Sequence, residues 1–196
     1  MSVSLKKGQK VSLTKDNDGL DKVIIGLGWD AAERKKSGLF SAKPKPIDCD
    51  ASVIALQGGK LLENKDIIYF GNLKHHSGSI IHTGDNLTGD GDGDDEQVIV
   101  ELSKIPENYD KIVFIVNIYE ATKRNQHFGM INNAYIRIID SRTNTEMFKY
   151  NLTDDYSNMT SMIFGEIYRH NDEWKFNPIG QGTTDDGLPA VAKKFV

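Results

Sequence analysis

Short apolar runs cut apart by turn residues constrain this chain more than any other feature. "KVIIGLGW" (22–29), "ASVIALQ" (51–57), "QVIVEL" (97–102), "KIVFIVNIY" (111–119), "AYIRIID" (134–140), "SMIFGEIYR" (161–169) and "EWKFNPIG" (173–180) are rich in Val, Ile, Phe and Tyr. "KDNDG", "QGG", "HSGS", "RTNT" and "RHND" separate them. β-branched and aromatic residues suit a pleated sheet, and Gly, Asn and Asp suit the turns between strands. No long helical pattern intervenes. The expected fold class is therefore all-β, an antiparallel β-sandwich with a short C-terminal helix. In "DDGLPAVAKKFV", Leu188, Val191, Ala192 and Phe195 fall on one helical face. Pro189 suits its first turn, and Asp185 or Asp186 is the expected cap.

The runs also repeat. "VSLTKDNDGLDKVIIGLGWDA" (11–31) resembles "VELSKIPENYDKIVFIVNIYEA" (100–121), and "DASVIAL" (50–56) resembles "NAYIRII" (133–139). "GNLKHHSGSIIHTGD" (71–85) resembles "YNLTDDYSNMTSMIFGE" (150–166) in the same order. We read one domain, residues 1–196, with an internal duplication of about 11–85 and 100–166 around an acidic loop, 84–96. The two halves are expected to share one core. The repeat aligns Asp30 with Glu120, Asp50 with Asn133 and Asp85 with Glu166, so polar oxygen residues end corresponding strands.

The loop, "GDNLTGDGDGDDE", holds six carboxylates between Asp85 and Glu96. Without them the chain has 22 acidic and 24 basic residues and is nearly neutral. No basic stripe is left to neutralise phosphates, so nucleic acid is not an expected partner. Asp90, Asp92 and Asp94 alternate with Gly, a pattern that lets several carboxylates and carbonyls face one point. Ca²⁺ takes six to eight oxygen ligands in irregular geometry. An EF-hand starting at Asp90 fails, because its sixth position is Asp95 rather than Gly and a strand follows instead of a helix. The remaining reading is an Asp-rich calcium loop in a β context. "IDCDAS" (47–52) adds Asp48 and Asp50, which alternation puts on one face with Cys49 on the other. "GWDA" adds Asp30 at another strand end.

These same residues carry a family resemblance. "GLGWD", "IDCDASVIAL" and "TGDNLTGDGDGDDE", in that order, with "FGMINNAYIRIID" downstream, resemble the TerD family of tellurium-resistance and general-stress proteins. The likeness runs over nearly the whole chain. It implies a calcium-binding β-sandwich of the bacterial cytoplasm, usually with two ions, and no agreed enzymatic activity. It also implies association with other stress-response proteins, in assemblies that are partly membrane-associated. Residue by residue, it places calcium ligands at Asp30, Asp48, Asp50, Asp85, Asn86, Asp90, Asp92, Asp94, Asp95 and Glu96, some acting through backbone carbonyls.

Other chemistries find little support in the residues. One cysteine excludes an internal disulfide. Cys49 lies between two acids that would raise its pKa, so a buried structural role is expected. His75, His76 and His82 lack the usual ligand spacings and are expected to be exposed or loop residues. No phosphate loop, dinucleotide fingerprint, signal peptide or transmembrane run occurs in the sequence. The expected activity is binding, not catalysis. The alternatives are an interaction module with structural calcium, whose surface could be the Glu120/Asn133/Glu166 pole or the terminal helix, and a metal-dependent enzyme acting on phosphate esters.

Overall fold

The computed structural model describes residues 2–31, 47–84 and 93–196. Twelve strands occur among them. They are β1 (Val3–Ser4), β2 (Val11–Ser12), β3 (Lys22–Ala31), β4 (Cys49–Leu56), β5 (Ile67–Ile68), β6 (Ile80–His82), β7 (Glu96–Glu101), β8 (Lys111–Ile118), β9 (Ile131–Asp140), β10 (Thr145–Asn151), β11 (Ser161–His170) and β12 (Glu173–Thr183). One sheet runs β1-β10-β9-β3-β7-β6 and the other β2-β12-β11-β8-β4-β5. Every pairing is antiparallel except the short β1–β10 contact, which is parallel.

Alternation decides what lies between the sheets. Val23, Ile25, Leu27 and Trp29 of β3 point inward, as do Val98 and Val100 of β7. They meet Val53 and Ala55 of β4 and Ile112, Phe114 and Val116 of β8. Burying each large side chain contributes about 1.5–3 kcal/mol, so this layer is the main source of stability. The outer face of the second sheet is apolar too, which is why β4 is buried along its whole length. There Ile54, Leu56, Val113 and Ile115 form a second cluster with Val191 and Ala192.

The residues covering that outer face belong to the short C-terminal helix, Leu188–Ala192, which continues as a 3₁₀ turn through Phe195. The expected apolar stripe is the packed face. The expected acidic cap is not found: Gly187 is the N-cap, and no side chain caps the helix. Asp185 instead pairs with Lys194 at 3.1 Å, and Asp186 accepts a hydrogen bond from Thr122.

The resemblances read from the sequence align β3 with β8, β4 with β9 and β6 with β11. β3 and β9 are neighbours in one sheet and β8 and β4 in the other, whereas β6 is an edge strand and β11 lies inside its sheet.

Candidate metal centre

Three strand ends meet at one pole of the sandwich. β3 ends there, β4 starts there, and β7 enters there from the acidic loop. The register pairs Leu27 with Glu96 and, on the other sheet, Asp50 with Asn117.

Glu96 closes the gap between the sheets. The outer edge of β4 gains its neighbour β5 only at Val53. Ala51, two residues earlier, is served by side chains from the opposite sheet. Its N–H donates to Glu96 Oε2 at 2.8 Å, and its carbonyl lies 3.2 Å from His82 Nε2. His82 Nε2 is also 3.2 Å from Glu96 Oε2. Gly84 N–H donates to His82 Nδ1, which leaves the ring proton on Nε2, where both acceptors lie. Both side chains are buried. The expectation that His82 is an exposed loop residue is therefore corrected: it is a buried donor held by Glu96.

Asp94 is anchored differently. Arg137 grips it with Nε on Oδ1 at 2.6 Å and Nη2 on Oδ2 at 3.0 Å. Gln97 Nε2 donates to Oδ2 at 2.9 Å. The Tyr135 hydroxyl lies 2.7 Å from the Gly93 carbonyl and 3.1 Å from Asp94 Oδ1. Burial, with the Asp94 charge beside it, holds that hydroxyl well above its usual pKa, so it remains a donor. The carboxylate lies against Gly26, where an added Cβ would overlap it. Both Asp94 oxygens thus serve protein donors, whereas the family resemblance casts this residue as a calcium ligand.

Asp95 ties the loop to the end of β3. Its N–H donates to Leu27 O at 2.8 Å, and its Oδ2 accepts from Trp29 N–H at 2.7 Å. A bulge between Gly28 and Asp30 gives Trp29 an N–H that the β9 ladder does not use. Asp30 follows, exposed, and accepts from Asn133 Nδ2 at 2.8 Å. Asn133 adopts a left-handed backbone, φ 53°. Asp30, Gly93, Asp95 and Asn133 border one open hollow of 730 Å³.

On the second sheet, Asp50 and Cys49 take opposite faces, as alternation requires. Cys49 enters the core, while Asp50 lies beside Asn117, whose Nδ2 is 3.3 Å away. Arg124 Nη1 approaches Asp48 Oδ2 at 3.7 Å, and the Asp48 carbonyl accepts from Tyr119 N–H. The Cys49 thiol reports on the whole neighbourhood. Burial raises its pKa most, followed by the charges of Asp50, Asp48, Glu96 and Asp95. Four acids from two segments 45 residues apart therefore share one electrostatic environment. The same field disfavours a thiolate, so Cys49 is a structural residue.

Of the ten residues expected as ligands, Asp30, Asp48, Asp50, Asp94, Asp95 and Glu96 lie at this pole. Asp85, Asn86, Asp90 and Asp92 lie outside the described residues. The alternative Glu120/Asn133/Glu166 surface is not a single place. Glu120 pairs with Lys123 and Arg124, and Asn133 bonds Asp30. Glu166 stands opposite Val113, five residues before the end of β8 at Ile118 and so about 17 Å from it at strand rise, and pairs with Lys111. Asn133, which the repeat aligns with Asp50, and Asn117 complete the polar surroundings; Asn117 carried no signal in the sequence beyond its place near a strand end.

These features describe a two-sheet β-sandwich with an oxygen-rich pole where an acidic loop joins the strands. The TerD domain matches residues 1–195, and the chain belongs to the TerD family. It is similar to stress response protein SCP2 of Bacillus subtilis (strain 168), 51% identical over 200 residues and covering 100% of both chains. It is similar to general stress protein 16U of the same organism, 46% identical over 196 residues, covering 100% of this chain and 97% of the relative. Tellurium resistance protein TerD of Serratia marcescens is 44% identical over 196 residues, with coverage of 100% and 97%. Among solved structures, a homologue of the telluride resistance protein from Streptomyces coelicolor A3(2) shares the fold with a TM-score of 0.63 at 19% identity, covering 88% of this chain and 95% of that one. A protein of unknown function matches with a TM-score of 0.66 at 23% identity, covering 89% and 96%.

Proposed function

We propose that this chain is a calcium-binding stress-response protein of the tellurium-resistance type, acting by binding rather than by catalysis. One observation carries the reading: Glu96 bonds the N–H of Ala51, next to Asp50, and Asp95 bonds the N–H of Trp29, next to Asp30, so acids from three separate segments converge where the acidic loop enters. Carboxylates gathered this way repel one another unless a cation separates them. The donors are hard oxygens, and the one soft donor among them is a thiol kept protonated. That set suits Ca²⁺ better than a transition metal.

Two ions are expected, held by Asp30, Asp48, Asp50 and Asp95 with Asp85, Asn86, Asp90 and Asp92 of the loop. Asp94 and Glu96 take a different role in this proposal. Their hydrogen bonds to Arg137 and to Ala51 fix the end of the loop, and so bring the ligating residues to the pole. Bound calcium would supply positive charge and order there. Partners are expected among other stress-response proteins in the cytoplasm, including assemblies at the membrane periphery; among the described residues no helix is long and apolar enough to cross a membrane.

The test is a melting curve after chelator treatment, repeated with calcium restored. Binding to the folded state must raise the melting temperature by mass action. An unchanged melting temperature counts against the proposal. Pull-downs with and without calcium then separate a calcium-controlled interaction from a structural role.

A further inference from the structure

A second cluster of ligand-type side chains lies away from the acidic pole, where the edges of the two sheets approach each other. Asp66 ends a 3₁₀ turn (Asn64–Asp66) just before β5, the edge of one sheet. His75 and His76 precede β6, the edge of the other. Their donor atoms all lie within 4.8 Å of one another.

The distances favour a four-coordinate ion. Asp66 Oδ1 is 3.2 Å from His75 Nε2 and 3.6 Å from His76 Nδ1. A tetrahedral ion with bonds of about 2.0–2.1 Å holds its ligand atoms roughly 3.3 Å apart. The cluster is close to that spacing before any ion is added. His75 and Asp66 alone would make an ordinary hydrogen bond, but His76 stands too far from Asp66 to do so. Its ring centroid lies 4.1 Å from that of His75, the two planes tilted by 43°.

The surroundings are built as a metal site needs. The Asp66 side chain is fully buried, and its Oδ2 has no hydrogen-bond partner. Tyr109 donates its hydroxyl to Asp66 Oδ1 at 2.8 Å, orienting the carboxylate. Ser77 Oγ lies 2.6 Å from His75 Nδ1, and Ser79 Oγ lies 2.7 Å from Ser77 Oγ. Ser77 N–H also points at Nδ1, 3.3 Å away, so without an ion Nε2–H faces Asp66; an ion would displace that proton, and Nδ1–H would then donate to Ser77 Oγ. Burial, and His76 next to it, lower the His75 pKa, which keeps the imidazole neutral. The His76 side chain is 43% exposed, which leaves an approach for a fourth ligand from solvent.

We propose that Asp66, His75 and His76 form a binding site for a Zn²⁺-type divalent ion, with water in the fourth position. Imidazole selects such ions over calcium, so this site is chemically distinct from the acidic pole. The ion would clip the edge strands β5 and β6 together across the sandwich. It would also fix the segment that leads into the acidic loop. The histidines were expected from the sequence to be ordinary loop residues; His75 is buried, and both converge on Asp66.

The experiment is a calorimetric titration of zinc sulfate into calcium-saturated protein, so that the acidic pole is already filled. One zinc per chain is expected. His76→Ala should weaken it at least ~10-fold, the usual lower bound when a metal's surroundings are damaged, with the melting curve in chelator unchanged. Cobalt in place of zinc should give the intense visible bands of a four-coordinate site. Zinc should also protect histidines of the unmodified protein from diethyl pyrocarbonate, a readout that needs no variant. The proposal is overturned if wild type takes up no zinc. It is equally overturned if His76→Ala binds as wild type does, if cobalt shows only weak octahedral bands, or if zinc protects no histidine.

Discussion

Glu96 of β7 accepts the N–H of Ala51 in β4 at 2.8 Å, joining the two sheets through a side chain on the edge of β4 where, among the described residues, no strand pairs with Ala51. His82 bonds the same carboxylate oxygen at 3.2 Å. Replacing Glu96 with Ala strands a buried N–H and removes the acceptor facing His82. The expected loss is about 3 kcal/mol, from the cost of leaving buried polar groups unmade. Urea unfolding measures it. Glu96→Gln retains an acceptor oxygen and should lose less. Equal midpoints for wild type and Glu96→Ala would contradict this role.

Gly26 leaves room for Asp94 to lie in the Arg137 fork. Gly26→Ala puts a methyl where the carboxylate sits. Overpacking of this sort costs about 1–3 kcal/mol. The melting temperature should fall, and adding Arg137→Ala to it should cost less than that change alone in wild type, because the fork is already broken. Independent, additive losses would show that the two positions do not act together.

Asp94 and Asp95 are neighbours with different roles. Asp94→Asn should lower stability while calcium still binds, since Arg137, Tyr135 and Gln97 hold that side chain. Asp95→Asn should weaken calcium binding more than it lowers stability in chelator. Competition against a fluorescent calcium indicator checks both. A greater loss of affinity in Asp94→Asn than in Asp95→Asn would reverse the assignment.

His75 gives a pH dependence of known sign. Its folded pKa lies below the ordinary value of 6.5, mainly through burial. Above 6.5 it is neutral in both states, and the full stability is present. As pH falls from 6.5 toward the folded value, the unfolded chain takes up the proton first and stability is lost. Unfolding in chelator across that window should show the loss, and His75→Gln should flatten it. A stability that rises on acidification through this window would refute the reading.

Much of the sandwich could be read from apolar runs bounded by turns: β7 and β12 alternate with period two, whereas β4 and β8 are near-continuous apolar runs because both their faces are covered. β1, β2, β5 and β6 hold two or three residues each and carry no period. β10, "TEMFKYN", is largely half-buried with exposed ends, so its pattern is weak. The acids at strand ends were also legible, since Asp48 and Asp50 follow from alternation around Cys49. What local pattern could not reveal was which partner each acid takes. Asp94 alternates with Gly whether a cation or Arg137, 43 residues later, receives it. His82 and His75 are buried because Glu96 and Asp66 lie beside them in the fold, 14 and 9 residues away along the chain. No ligand spacing in the sequence marks either contact.

Calcium binding at the acidic pole underlies the proposed function. A calorimetric titration of calcium into chelator-treated protein tests it most directly. The account predicts two ions per chain, with binding weakened when Asp50 and Asp95 are both changed to Asn. Absence of binding heat in the wild type, or two undiminished sites in the Asp50→Asn/Asp95→Asn variant, would contradict it.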